Sequence, residues 1–139
     1  MDYRKFEKTR FFRHFISTPF LWLPLPFILL LDLVAELYHR IAFPLCGIPY
    51  VKRKEYIQIL DRNRLKYLRL REKPGCMYCG YANGFFLYAK EIAGRTEKYW
   101  CGIMHENKPG FRPHADQTQR NFAPFGDEQD FLNKYPKEK

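Results

Sequence analysis

From Ile16 to Leu31 the chain carries no charged side chain, yet the same stretch holds Pro19, Pro24 and Pro26. A run this apolar has to be covered by lipid, by a partner or by the rest of the chain. The prolines limit how, because each removes a backbone donor and interrupts a helix interior. A clean helix is expected to begin near Pro26, where a first-turn proline is tolerated, and to run to Ala42 before Pro44 stops it. About 17 residues of helix span roughly 25 Å, slightly less than the ~30 Å hydrocarbon core. Asp32 and Glu36 fall inside this helix, and each carboxylate would be costly against lipid. With His39 they recur at i, i+4 and i+7 and so share one face. Glu36-x-x-His39 has the spacing of di-iron carboxylate bundles, but such sites take two of these motifs from four helices. A polar stripe facing headgroups, a partner or Arg40 is the simpler reading.

Charge sharpens the picture. Residues 1–14 hold five basic and two acidic side chains, and residues 52–73 hold nine and three. The whole chain carries +9, with a pI near 9.5, which points to an acidic partner: lipid headgroups, an acidic protein surface or nucleic acid. Positive flanks tend to stay on the cytoplasmic side, so a single crossing would strand one basic cluster. A hairpin turning near Leu23–Pro26 keeps both on the same side. Residues 15–51 are therefore expected to be a membrane-associated segment, monotopic or embedded in a partner, on the cytoplasmic face. No small-residue cleavage motif follows it, which disfavours a signal peptide.

Trp22 and Phe27 are candidate contacts within that segment. Residues 52–73 read as a basic amphipathic helix, with Ile57, Leu60, Leu65 and Leu68 on one side. Its Lys52, Arg53, Lys54, Arg62, Arg64 and Arg69 would meet anionic lipid or an acidic partner, at about 1 kcal/mol per basic residue near a membrane surface. Tyr56 and Tyr67 could stack on bases, but no nucleic-acid motif accompanies them, so RNA or DNA binding is a secondary alternative.

Residues 74–106 contain "GCMYCGYANG" and "YWCGIMH". Cys76 and Cys79 are spaced so that both sulfurs can face one ion, and Gly80 suits the tight turn of a metal knuckle. Cys101 and His105 supply a second pair with the gap of a structural zinc site. Gly94 is expected to stop a short helix between the pairs, or a hairpin to turn there, so that the loop closes. Zinc is favoured because the set of Cys76, Cys79, Cys101 and His105 includes histidine and looks closed. Iron on the same cysteines, serving electron transfer, is the alternative. Cys46 is a packing residue or an acylation site, and His114 a substitute ligand. The chain is too short to build a thioredoxin-like domain around the Cys-x-x-Cys pair.

The Cys-x2-Cys-Gly knuckle followed by Cys-x3-His resembles the zinc-ribbon and treble-clef class, over residues 75–105. The wider layout is similar to that of small bacterial membrane-associated proteins. That resemblance implies a metal site and nothing about a substrate.

Residues 107–139 form a polar, proline-punctuated tail, with Phe111, Phe122, Phe125, Phe131 and Tyr135 spaced along an extended segment. Asp127 could cap a last short helix. No catalytic arrangement stands out, although Glu106 could act as a general base if His105 were not a ligand. The fold expected is mainly α: a proline-broken membrane segment, a basic helix, a zinc-stapled module and a tail. The function expected is a non-catalytic binding or assembly module, an accessory subunit of a larger membrane complex, with no small-molecule substrate evident.

Overall fold

The computed structural model describes residues 11–61, 64–66, 70, 73–111, 117 and 119–136. It is mainly helical, and no strand occurs among the described residues. Helix α1 spans Phe11–Trp22, α2 spans Pro24–Leu45, α3 spans Lys73–Trp100 and α4 spans Glu128–Lys134.

The expected break between α1 and α2 does not form. Leu23 has helical angles (φ −54°, ψ −39°), and its amide donates to the Pro19 carbonyl at 3.0 Å, so the helix runs on through it. Pro24 and Pro26 sit in the first turn of α2, where their fixed φ suits a helix, although in the continuous run they cannot donate to the Phe20 and Trp22 carbonyls. Ser17 and Thr18 turn their hydroxyls back onto the His14 carbonyl at 3.1 and 2.7 Å, so neither is left unpaired on an apolar helix. There is thus no hairpin at Leu23–Pro26. Phe12–Leu45 is a single 34-residue stretch, long and apolar enough to cross a membrane by length and composition. At its far end Pro44 lies inside the last turn and does not stop the helix early. Gly47 does that. At φ +65° it closes a Schellman motif, in which Gly47 N–H bonds the Pro44 carbonyl and Ile48 N–H the Phe43 carbonyl.

The expected basic helix over 52–73 is also absent from the described residues. Arg53–Glu55 form one 3-10 turn, and 57–59 follow without helical structure. The reason lies in α3. A Cβ placed on Gly80 would sit 2.6 Å from the Gln58 carbonyl oxygen, and one on Gly84 2.6 Å from that of Tyr56. The two glycines, one turn apart, let residues 56–59 lay their backbone directly on the helix.

Helix α3 runs beside α2 in the same direction. Trp22 stacks on Tyr78, Tyr81 meets Asp32, Tyr88 meets His39, and Tyr38 meets Thr96. Ile28, Phe43, Val51, Ala82, Phe85, Tyr88 and Ile92 form the core between them. The described part of the tail is not extended: it folds back over the end of α3. Ile103 and Ala123 form an isolated bridge, and Asp127 caps α4 by accepting from the Asp130 amide at 2.9 Å. Tyr135 donates to the Lys98 carbonyl at 3.2 Å and packs on Gly102.

Candidate functional site: a polar network beneath an apolar helix

The expected metal centre is not assembled. Cys76 and Cys79 lie near the start of α3, whereas Cys101 and His105 follow its end. Some 22 residues of helix put about 33 Å between Cys79 and Cys101, while ligands of one zinc lie within a few ångströms of each other. Gly94 stays helical and buried beside the Arg120 side chain; the helix ends instead at Trp100, just before Gly102 with φ +62°. Among the described residues no group of three His, Cys, Asp or Glu side chains could hold a metal ion. The zinc-ribbon resemblance therefore fails on geometry.

The pairs themselves survive as neighbours. Cys76 is half-buried and Cys79 exposed, one turn apart. Cys101 and His105 line one depression together with Glu97 and Glu106, where His105 Nε2 is 3.9 Å from Glu97. His114 lies outside the described residues.

The structure gathers its chemistry-bearing side chains elsewhere, on the face of α2 that carries Asp32, Glu36 and His39. Both Asp32 oxygens accept from Arg53, Nη2 at 2.6 Å, and Oδ2 also accepts from the Tyr81 hydroxyl at 2.6 Å. Glu36 accepts from Tyr88 at 2.7 Å, from Arg40 Nε at 2.8 Å and from Tyr50 at 3.2 Å. His39 is fully buried, stacked on Tyr50 with ring centroids 3.9 Å apart.

These contacts fix the imidazole tautomer. The Val51 amide donates to Nε2 at 3.0 Å, so that nitrogen carries no proton. The Tyr88 hydroxyl spends its one proton on Glu36, so its 2.8 Å contact with Nδ1 is His39 donating to the tyrosine oxygen. The chain of bonds runs from the Val51 amide to His39, from His39 to Tyr88, and from Tyr88 to Glu36. A second proton on His39 would have to displace the Val51 amide. The ring is a neutral structural pivot.

Electrostatics follow from burial. Burial, then the hydrogen bond to Asp32, pushes the Tyr81 phenol up to about 12. Burial and Glu36 push Tyr88 higher still, and the hydrogen bond to Asp32 raises Arg53. Each shift favours the protonation state that the network uses. Arg53 also lies over the Tyr88 ring, 5.6 Å from its centroid.

The expected contact residues separate accordingly. Arg53 gives its guanidinium to Asp32 and is not a free cation for lipid or a partner. Lys52 and Lys54 are exposed, with Lys52 3.6 Å from Glu55, and Arg64 is exposed. Arg62 and Arg69 lie outside the described residues. Phe27 is 67% exposed, and Trp22 is 38% exposed while stacking on Tyr78. Sequence reasoning placed Asp32, Glu36 and His39 on one face but missed what they meet. Tyr81 and Tyr88, seven residues apart and hence on one face of α3, were the available signal.

No protein-family model matches the chain, and no curated protein or solved structure is significantly similar to it.

Proposed function

We propose that this chain is a membrane-associated, non-catalytic assembly module that lodges an apolar helix in the bilayer and presents a small helical body at the cytoplasmic face. One observation carries the reading. Across Phe12–Leu45 only 11% of the most apolar window is covered by the rest of the chain, leaving Phe20, Leu23, Phe27, Leu30, Leu33 and Leu45 each at least 60% exposed. Soluble proteins rarely leave an apolar face this long open to water.

Two further features support it. Asp32 and Glu36, which would oppose insertion if they faced lipid, turn inward and are neutralised by Arg53 and Arg40. The part of α3 that lies beside the apolar run, Pro74 to Ala89, carries no charged residue. The larger basic cluster, nine residues within 52–73 against five within 1–14, favours a cytoplasmic body. The network is saturated with internal partners, so its role is to root the helix on the body. A module so built would serve as an accessory subunit, with its exposed lysines facing acidic headgroups or an acidic neighbour.

The test is extraction. Full-length chain expressed in cells is expected in the membrane fraction after alkaline carbonate washing, and a Phe20→Arg/Leu30→Arg variant is expected to be released. A wild-type chain recovered folded and monomeric without detergent would overturn the proposal.

A further inference from the structure

At the end of α2 furthest from the apolar run, a cavity of about 740 Å³ is walled by Cys46 and Pro49 on one side, by Arg95 and Lys98 of α3 below, and by Arg120 and Tyr135 of the tail. Its lining carries three cationic side chains and no acidic one. We propose that this cavity binds a phosphate-bearing anion.

The arginines are held in place. Glu91 accepts from Arg95 Nε at 2.8 Å through one oxygen and from Arg120 Nη2 through the other, so one carboxylate orients two guanidiniums. Arg95 Nη1 is fixed further by the Pro49 carbonyl at 2.7 Å. Arg120 lies over Gly94, where a Cβ would come 3.4 Å from its Nε. Both arginine side chains are mostly buried, at 26% and 19% exposure, and Glu91 offsets one of the two charges. Lys98 adds another, with no ion-pair partner among the described residues. The local balance of Arg95, Arg120 and Lys98 against Glu91 is +2.

Two pre-oriented guanidiniums and an ammonium match a phosphate better than a single carboxylate. Arg95 Nη2 and Arg120 Nε and Nη1 are the donors not spent on Glu91 or Pro49, and they remain for separate phosphate oxygens, while the ammonium acts as a point charge. The cavity has room for the phosphate and part of the group that carries it. The rim is amphipathic: Leu45, 82% exposed, immediately precedes Cys46, and Tyr99 lines the wall. The same chemistry would accept a free phosphate or an anionic lipid headgroup. The proposal does not depend on membrane insertion, because a soluble phosphate is a sufficient ligand.

Half-buried Cys46 provides a local reporter. Full-length protein in neutral detergent is alkylated with a maleimide, and modification is followed peptide by peptide. The ligands are inorganic phosphate, dihexanoyl phosphatidic acid and, as a neutral control, dihexanoyl phosphatidylcholine. Saturable slowing at Cys46, without slowing at exposed Cys101, is the expected result. Lys98→Gln and Arg120→Lys should each weaken the protection about tenfold, and Lys108→Gln, at an exposed lysine elsewhere, should leave it unchanged. Arg120→Lys keeps the charge and loses the fork, so its effect separates recognition from bulk attraction. Protection by both phosphates supports a phosphate site; protection by the lipid alone supports a headgroup site. No protection by either, or protection equal in Lys98→Gln and wild type, would overturn the proposal.

Discussion

Alanine at Gly84 and at Gly75 should move stability in opposite directions. Both glycines lie within α3, where alanine is favoured over glycine by about 1 kcal/mol in a helix interior and by less in the first turn. At Gly75 nothing lies within 4 Å of the added Cβ, so the substitution keeps whatever propensity it gains. At Gly84 the Cβ would meet the Tyr56 carbonyl oxygen at 2.6 Å and Ile57 Cα at 2.8 Å. Both are backbone atoms, which no rotamer change can withdraw. The segment over 56–59 has to lift, loosening Tyr56 and Ile57 from the core. Overpacking of this kind costs about 1–3 kcal/mol, and rigid backbone places the site at the upper end. Subtracting the propensity gain leaves a net loss of about 2 kcal/mol, or roughly 6 °C in Tm for a chain of this size. Thermal unfolding followed by far-ultraviolet circular dichroism in one detergent would measure it. Gly84→Ala as stable as wild type, or both variants shifting in the same direction, would refute the packing argument.

Tyr88→Phe removes the hydroxyl shared by Glu36 and His39 and leaves both without that partner, so a loss of about 1–3 kcal/mol is expected on thermal unfolding. A neutral result would show that water replaces the bond. Cys79→Ser should change stability by less than about 0.5 kcal/mol, with or without a chelator, because the side chain is exposed and belongs to no metal-holding group among the described residues. Cooperative loss of structure in that variant would revive the metal reading. Burial tends to raise the Glu91 carboxyl, but its hydrogen bonds to Arg95 and Arg120 outweigh this and hold it below its usual value. Its stabilisation is therefore complete above the unfolded value near pH 4.3 and lost as pH falls through the lower folded value. A pH series of Tm values should lose this component in Glu91→Gln, and an unchanged acid slope would count against the pairing.

Much of the helical plan was legible from local sequence. The uncharged run from Ile16 to Leu31 and the shared face of Asp32, Glu36 and His39 follow from spacing alone, because helix geometry converts spacing into direction. What lies opposite that face was not legible, since Arg53, Tyr81 and Tyr88 reach it through tertiary packing. Two misreadings have physical causes. Pro19, Pro24 and Pro26 point to a turn before a helix that starts near Pro26, yet a proline's fixed φ is helical, and the Leu23 amide still bonds the Pro19 carbonyl, so the chain stays helical across all three. Gly80 and Gly84 resembled turn glycines beside a cysteine pair. Glycine serves two ends, positive φ and close approach, and here only the second applies. Their separation of four residues was the distinguishing mark.

The insertion of the apolar helix is tested most directly by depth-dependent quenching of Trp22. This residue lies near the middle of the uncharged run, and Trp100→Phe removes the other tryptophan. In proteoliposomes of lipids brominated at different depths, the account predicts strongest quenching by bromines deep in the acyl chains and little by aqueous iodide. Quenching by iodide with none from the lipids would contradict it.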